Sequence, residues 1–323
     1  MSYATARRVD FSEIPVIDLD RPPGAVGEDI RRAAIAVGFF YVANHGVARP
    51  VVDDAFAAAR DFFRAPAAVK ESVRVNALHR GWLKPGGATM DGAARPDLKE
   101  SFIFGLDLPA NDADVAAGTP LMGPNQWPAG VPALRPALSA YYDAILACGR
   151  RLMQGFAAAL HLPPDHFQAA FRKPLARGTA IWYPPQPPGD ADQFGVAPHT
   201  DYGCITILAQ DATGGLQVKN RAGDWIAAPP IADTFVINIG DLMARWTNDL
   251  FVSTPHRVVN ASGRERQSIA TFYDPSFHTP IAVLPGCAEP GLPARYPPTT
   301  CGAHILGRFN RSFAYRSTGS APA

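Results

Sequence analysis

Cysteine is scarce in this chain, and the few positions it holds exclude two classes of protein. Cys148, Cys204, Cys287 and Cys301 are scattered, with no CxxC pair, so neither a thiolate metal cluster nor a disulfide framework is encoded. Net charge is also missing, since 30 Lys and Arg stand against 29 Asp and Glu. Without a field of one sign, nothing gathers nucleic acid or an anionic membrane over distance. Long apolar runs are absent too. The longest, Ala33 to Ala43, is too short to span a bilayer, and Met1 to Pro15 lacks the apolar core of a signal peptide. The expectation is a cytoplasmic protein acting on a small, locally recognised molecule, with no nucleic-acid or membrane partner. No nucleophilic Ser-His-Asp arrangement, phosphate-binding glycine loop or internal repeat is present, and oligomeric state has no signature.

What is present is ordinary globular material. Apolar residues make up 47% and charged residues 18% of 323 positions, enough for a substantial core and consistent with one catalytic domain over 1–323. Residues 1–172 read as mainly helical. Glu28 to Val37 leads into a strand at Phe39 to Ala43, Val51 to Phe63 has helical spacing, and Leu134 to Leu160 repeats apolar residues every three or four positions until Pro163-Pro164. Between these helices, 80–128 is rich in Gly, Pro and Asp and interrupted by a strand-like run, Ser101 to Phe104. After Phe171 short β-branched and aromatic runs alternate with turns: Thr179 to Tyr183, Cys204 to Leu208, Leu216 to Lys219, Phe235 to Ile239, Arg257 to Val259, Ser268 to Tyr273 and Ile281 to Leu284. Arg221-Ala222-Gly223-Asp224 is a hairpin turn. The fold class is therefore mainly β with helices (α+β): a jelly-roll core at 175–285, braced by N-terminal helices, with 286–323 packing on it.

The chemistry starts from His199 and Asp201. Two apart on an extended segment, they point to one face and can grip one metal ion. A single HxD is weak evidence, but His256 stands at the start of a later strand, and a jelly roll can return that strand beside the first. Two imidazoles and one carboxylate form a facial triad with coordination positions left open. Zinc or manganese can use similar ligands, and His256 alone could be an ordinary turn histidine. Ten residues on, Arg266 and Ser268 form the only RxS of the chain. They offer a planar fork and a hydroxyl on one face, suited to a carboxylate. A surface salt bridge is the competing reading for Arg266.

The order HTD at 199–201, STPHRV at 253–258 and RQS at 266–268 resembles the isopenicillin N synthase-like family of Fe(II)/2-oxoglutarate-dependent dioxygenases. IPVIDL at 14–19, GFFYVANHGV at 38–47, KESF at 99–102, YPPQ at 183–186 and INIGDLMARWTND at 237–249 extend the resemblance over nearly the whole chain. It implies a double-stranded β-helix, Fe(II) on His199, Asp201 and His256, and 2-oxoglutarate held at its distal carboxylate by Arg266, Ser268 and Tyr183. It also implies consumption of O2, release of succinate and carbon dioxide, and hydroxylation, desaturation or ring closure at an unactivated C–H bond of a small metabolite. One departure is visible: many members carry Arg four residues before this Tyr, where this chain has Thr179, its nearest arginine being Arg177. Gly240-Asp241 reads as a turn into the strand leading toward His256, with Asp241 a turn-former and no ligand.

Two rival readings stay open at this stage. One is an iron oxidase that does not use 2-oxoglutarate, and the other a non-enzymatic jelly-roll protein that keeps its metal ligands for structure or sensing. The substrate entrance is expected at Trp82-Leu83-Lys84, Lys99 to Phe104 and Arg245-Trp246, with Lys84 or Arg245 available to a polar or anionic substrate. The stretch Tyr296 to Tyr315, carrying Arg308, Phe309, Arg311 and Phe313, is expected as a helix over the pocket.

Overall fold

Proline and glycine set the first helix. Pro22 and Pro23 start α1 (Pro23–Ala36), because proline is preset for a first helical turn. Gly38 (φ +68°) ends it, where an added Cβ would lie 2.1 Å from the Val252 carbonyl oxygen. The helix thus begins a turn or more before the expected Glu28. In this computed structural model, which describes residues 14–87, 95–186, 193–288 and 293–312, the other helices are α2 (Arg49–Arg64), α3 (Ala67–Glu71), α4 (Ala113–Ala116), α5 (Leu134–Ala159), α6 (Asp241–Trp246) and α7 (Cys301–Ser312). The long α5 turns Leu138, Tyr141, Ile145, Leu152 and Phe156 inward and packs on α1 and α2. Among the described residues, no helix is long and apolar enough to cross a membrane.

Two sheets form the core. The larger runs β1 (Val16–Asp18), β2 (Phe39–Ala43), β10 (Phe235–Ile239), β7 (Ile205–Gln210), β12 (Arg266–Tyr273), β5 (Arg177–Tyr183), β4 (Glu100–Gly105), β3 (Gly81–Leu83). The smaller runs β6 (Val196–His199), β11 (His256–Val258), β8 (Leu216–Lys219), β9 (Trp225–Ala227). Numbered from β5 to β12 as one to eight, the strands pair as 1-8-3-6 in one sheet and 2-7-4-5 in the other, the interleaving of a jelly roll. The hairpin at 221–224 joins β8 to β9, pairing Lys219 with Trp225.

The larger sheet is buried on both faces. Phe40, Phe102, Ile207, Ile237 and Ile269 meet the helices, while Tyr41, Ile103, Ile181, Tyr183 and Val236 face the interior of the roll. Such strands read as continuous apolar runs. The N-terminal half also supplies β1, β2, β3 and β4 to the edges of this sheet. Two expectations are corrected. Ile281 to Leu284 is not a strand of the roll: only β13 (Pro280–Ile281) forms, paired outside the roll with β14 (Thr299–Thr300). Gly240-Asp241 does not turn into a strand either, because Asp241 opens α6.

Candidate active site

The roll brings the metal-ligand candidates together through strand register. β11 lies against β6 with His256 opposite His199, and the two rings are 4.3 Å apart. Asp201 follows β6 by two residues and places Oδ1 at 3.6 Å from His199 Nε2 and 3.7 Å from His256 Nε2. The three ligand atoms lie within 4.8 Å of one another.

Their hydrogen bonds point the lone pairs inward. His199 Nδ1 lies 2.8 Å from the Ala197 carbonyl oxygen and His256 Nδ1 lies 3.2 Å from that of Thr254. A carbonyl can only accept, so each Nδ1 carries the hydrogen and Nε2 is left for a metal. Burial first, then repulsion from His199, pushes the His256 pKa down to about 4. Burial works against ionisation of Asp201, but attraction from His256 and His199 and the Thr206 hydrogen bond outweigh it, and its pKa is lowered. Thr206 Oγ1 donates to Asp201 Oδ2 at 2.5 Å and Asn238 Nδ2 at 2.8 Å, leaving Oδ1 to the metal side. Acceptors converging without a shared hydrogen repel unless a cation joins them. The donor set therefore fits a divalent ion such as Fe(II).

A second element of the site lies on the same interior face. Arg266 on β12 is 1% exposed and stands opposite Tyr183 on β5, its guanidinium stacked 4.6 Å from the ring centre. Its Nε donates to the Gly214 carbonyl, one terminal nitrogen reaches Ser268 Oγ at 3.3 Å, and the other reaches Gln210 Oε1 at 3.3 Å. All these partners are neutral, and no described carboxylate pairs with Arg266. A buried cation without an anion is costly, so this end of the roll fits the carboxylate of a ligand.

Beside the triad is a cavity of about 100 Å³ whose walls include His199, Thr200 and Asp201. Lys99, Ser101 and Ile103 come from the β4 side, and Arg177, Thr179 and Ile181 from β5. Phe309 of α7 forms another wall, so the C-terminal helix does cover the pocket. Arg308 instead pairs with Asp241 at 2.8 Å, and Arg311 lines a separate surface groove. Phe313 and Tyr315 lie outside the described residues.

Several entrance expectations are corrected. Lys84 is exposed and does not line the cavity. Arg245 donates to the Pro297 carbonyl and lies over Tyr296, away from it. Trp82 turns to the helix side, where its Nε1 donates to Glu100 at 2.6 Å, and Trp246 packs on Phe167 in the core. Leu83, Lys99, Ser101 and Ile103 do line the cavity. The arginine missing at Thr179 has a counterpart two residues earlier on the same face, for Arg177 is buried and paired with Asp274 at 3.2 Å. His79, Tyr202 and Phe272 also line the cavity and were not anticipated. Of these, Phe272 was findable, as it follows Ser268 by two further same-face steps along one strand.

Comparisons with known proteins agree with this geometry. The signature of the 2OG-Fe(II) oxygenase superfamily matches residues 165–275, and that described as "non-haem dioxygenase in morphine synthesis N-terminal" matches 14–130. A 2-oxoglutarate-Fe(II) type oxidoreductase of Metarhizium rileyi is 35% identical, covering 94% of this chain and 88% of its own. A full-length Neurospora crassa protein, solved in complex with alpha-KG, superimposes with a TM-score of 0.81 at 27% identity, covering 92% of this chain and 96% of its own. JOX2, solved with 2OG, Fe and JA, gives 0.79 at 29% identity, covering 96% and 89%. With whole-length relatives of this kind and a roll that gathers two histidines and a carboxylate beside a buried, anion-seeking arginine, the chain belongs to the 2OG-Fe(II) oxygenase superfamily, enzymes that use Fe(II), 2-oxoglutarate and O2 to oxidise a small molecule.

Proposed function

We propose that His199, Asp201 and His256 bind the Fe(II), that Arg266, Ser268 and Tyr183 take the distal carboxylate of 2-oxoglutarate, and that the substrate occupies the adjoining cavity. The observation that carries this assignment is the inward convergence of two Nε2 lone pairs on Asp201 Oδ1, with both Nδ1 atoms tied to backbone carbonyls. Bound iron would supply dioxygen activation, with 2-oxoglutarate as the two-electron reductant. For a hydroxylation the balance is one C–H compound, one O2 and one 2-oxoglutarate giving the alcohol, succinate and carbon dioxide. The protein's own part is positional. Arg266 neutralises and orients the co-substrate, Thr206 and Asn238 fix Asp201, and the apolar cavity walls keep water from the reacting centre.

A small metabolite is favoured over a macromolecule by the cavity's volume of about 100 Å³. The Neurospora protein has been solved with thymine, which supports a substrate of that order of size. Anaerobic Fe(II) with 2-oxoglutarate should give a weak visible charge-transfer band, and aerobic turnover with ascorbate should release succinate. Arg266→Ala should raise the 2-oxoglutarate concentration needed for the band by about tenfold or more, the loss of a charge-assisted hydrogen bond, while Fe(II) binding is kept. A variant that binds 2-oxoglutarate as the parent does would remove Arg266 from this role.

A further inference from the structure

The cavity beside the triad is rich in hydrogen-bond donors and poor in acids. Lys99, Arg177, Thr179, Thr200 and Tyr202 line it, and among the described residues its only carboxylate is Asp201, which faces the proposed metal. The two acids that balance the cations stand behind the wall: Asp97 beside Lys99 and Asp274 beside Arg177. Arg177 is paired with Asp274 through one terminal nitrogen and held between the Phe272 and Phe309 rings at 5.1 and 4.5 Å, with its buried Nε making no hydrogen bond among the described residues.

Lys99 is placed differently. Its side chain is 11% exposed, and its ammonium pairs with Asp97 Oδ2 at 2.9 Å, which engages one of its three N–H donors. Asp97 is itself anchored, since its other oxygen accepts from the Ala197 amide at 2.9 Å, on the strand that carries His199. Among the described residues, Asp97 is the one side-chain acceptor for the three Lys99 donors. Burial works to strip the proton, but attraction from Asp97 and Tyr183 and the hydrogen bond to Asp97 outweigh it and raise the pKa, so the group stays charged. A charged, fixed ammonium with unused donors in a desolvated cavity selects an anion.

Resting on the site assignment above, the geometry points to a compact substrate that carries a carboxylate, received by Lys99 on the cavity wall. The distal carboxylate of the co-substrate has its own cation in Arg266, so two carboxylates are read by two separate cations. An amine would face Lys99 and Arg177 together, and a neutral molecule would gain no charge-assisted hydrogen bond from the ammonium.

The test uses the full chain loaded anaerobically with Fe(II) and 2-oxoglutarate, with the charge-transfer band as reporter of what enters the neighbouring cavity. Acetate and phenylacetate are titrated against their isosteres acetamide and phenylacetamide. The carboxylates should perturb the band at concentrations about tenfold or more below the amides, the worth of a charge-assisted hydrogen bond. Lys99→Met/Asp97→Asn, which keeps an acceptor for the Ala197 amide and leaves no unpaired carboxylate, should still form the band and lose the preference. Lys99→Arg should retain it. Equal titration of acids and amides in the parent protein overturns the inference whether or not the variants fold, and so does a preference that survives in the double variant. Failure of the underlying site assignment looks different, because then no band forms on adding 2-oxoglutarate, and the inference falls with it.

Discussion

A buried carboxylate has two oxygens to satisfy, and Asp201 divides them. Oδ2 is saturated by Thr206 and Asn238, while Oδ1 faces the two imidazoles. The neutral donors thus fix which oxygen meets a metal and at what angle. Replacing Asn238 with Leu frees Asp201 to rotate and should weaken Fe(II) binding by roughly 10–100-fold, read by chelator competition with the circular dichroism spectrum unchanged. At this scale residue type and spacing marked His199, Asp201, His256 and the RxS pair as candidates, and the fold brings the first three within reach of one ion. Asn238 and Thr206 carry no such mark, since amides and hydroxyls in apolar strands are common. Cavity residues such as Thr179 and Phe272 are visible only once Tyr183 and Ser268 are known to face inward, because the strands are apolar on both sides and show no alternation.

Among the elements, the short α6 has an effect beyond its length. Its first residue, Asp241, accepts from Ser253 Oγ at 2.7 Å and Thr200 Oγ1 at 3.2 Å, and it pairs with Arg308 of α7. One side chain therefore joins the segment before His256, the segment between His199 and Asp201, and the helix that walls the cavity. Asp241→Ala should cost about 2 kcal/mol, from two side-chain hydrogen bonds and a partly exposed ion pair, measured by urea unfolding, and should also weaken Fe(II) binding. Arg308→Ala, removing only the ion pair, should cost less than half as much. The sequence suggested a turn at Gly240-Asp241 because such pairs usually make one. What makes it a helix start is tertiary: the Asp241 amide donates to the Asp201 carbonyl at 2.7 Å, and a Cβ on Gly240 would lie 2.2 Å from the Gly203 carbonyl oxygen. Similarly, Pro22-Pro23 began a helix where the pattern alone placed its start later.

For the molecule as a whole, the site joins strands that are distant in sequence, so metal and fold are linked. An ion that binds only the folded state stabilises it by mass action, about 2.7 kcal/mol at a hundred times its dissociation constant. Anaerobic Fe(II) should therefore raise the midpoint of thermal unfolding, and His199→Ala should abolish that rise, checked by scanning calorimetry. Fold class was legible from the count and spacing of strands, but not their order, which depends on pairings between distant segments. That order also governs timing. His199 sits on the second strand of the roll and His256 on the seventh, and β12, the last strand of the roll, must insert between β5 and β7. Such long-range pairing makes folding slow. During synthesis, a growing chain that has exposed His199 and Asp201 still lacks the strand that completes the triad, and it cannot hold iron in that form. A metal on the complete triad must therefore wait until β11 is made and paired, which spares the shorter growing chain reactive oxygen chemistry.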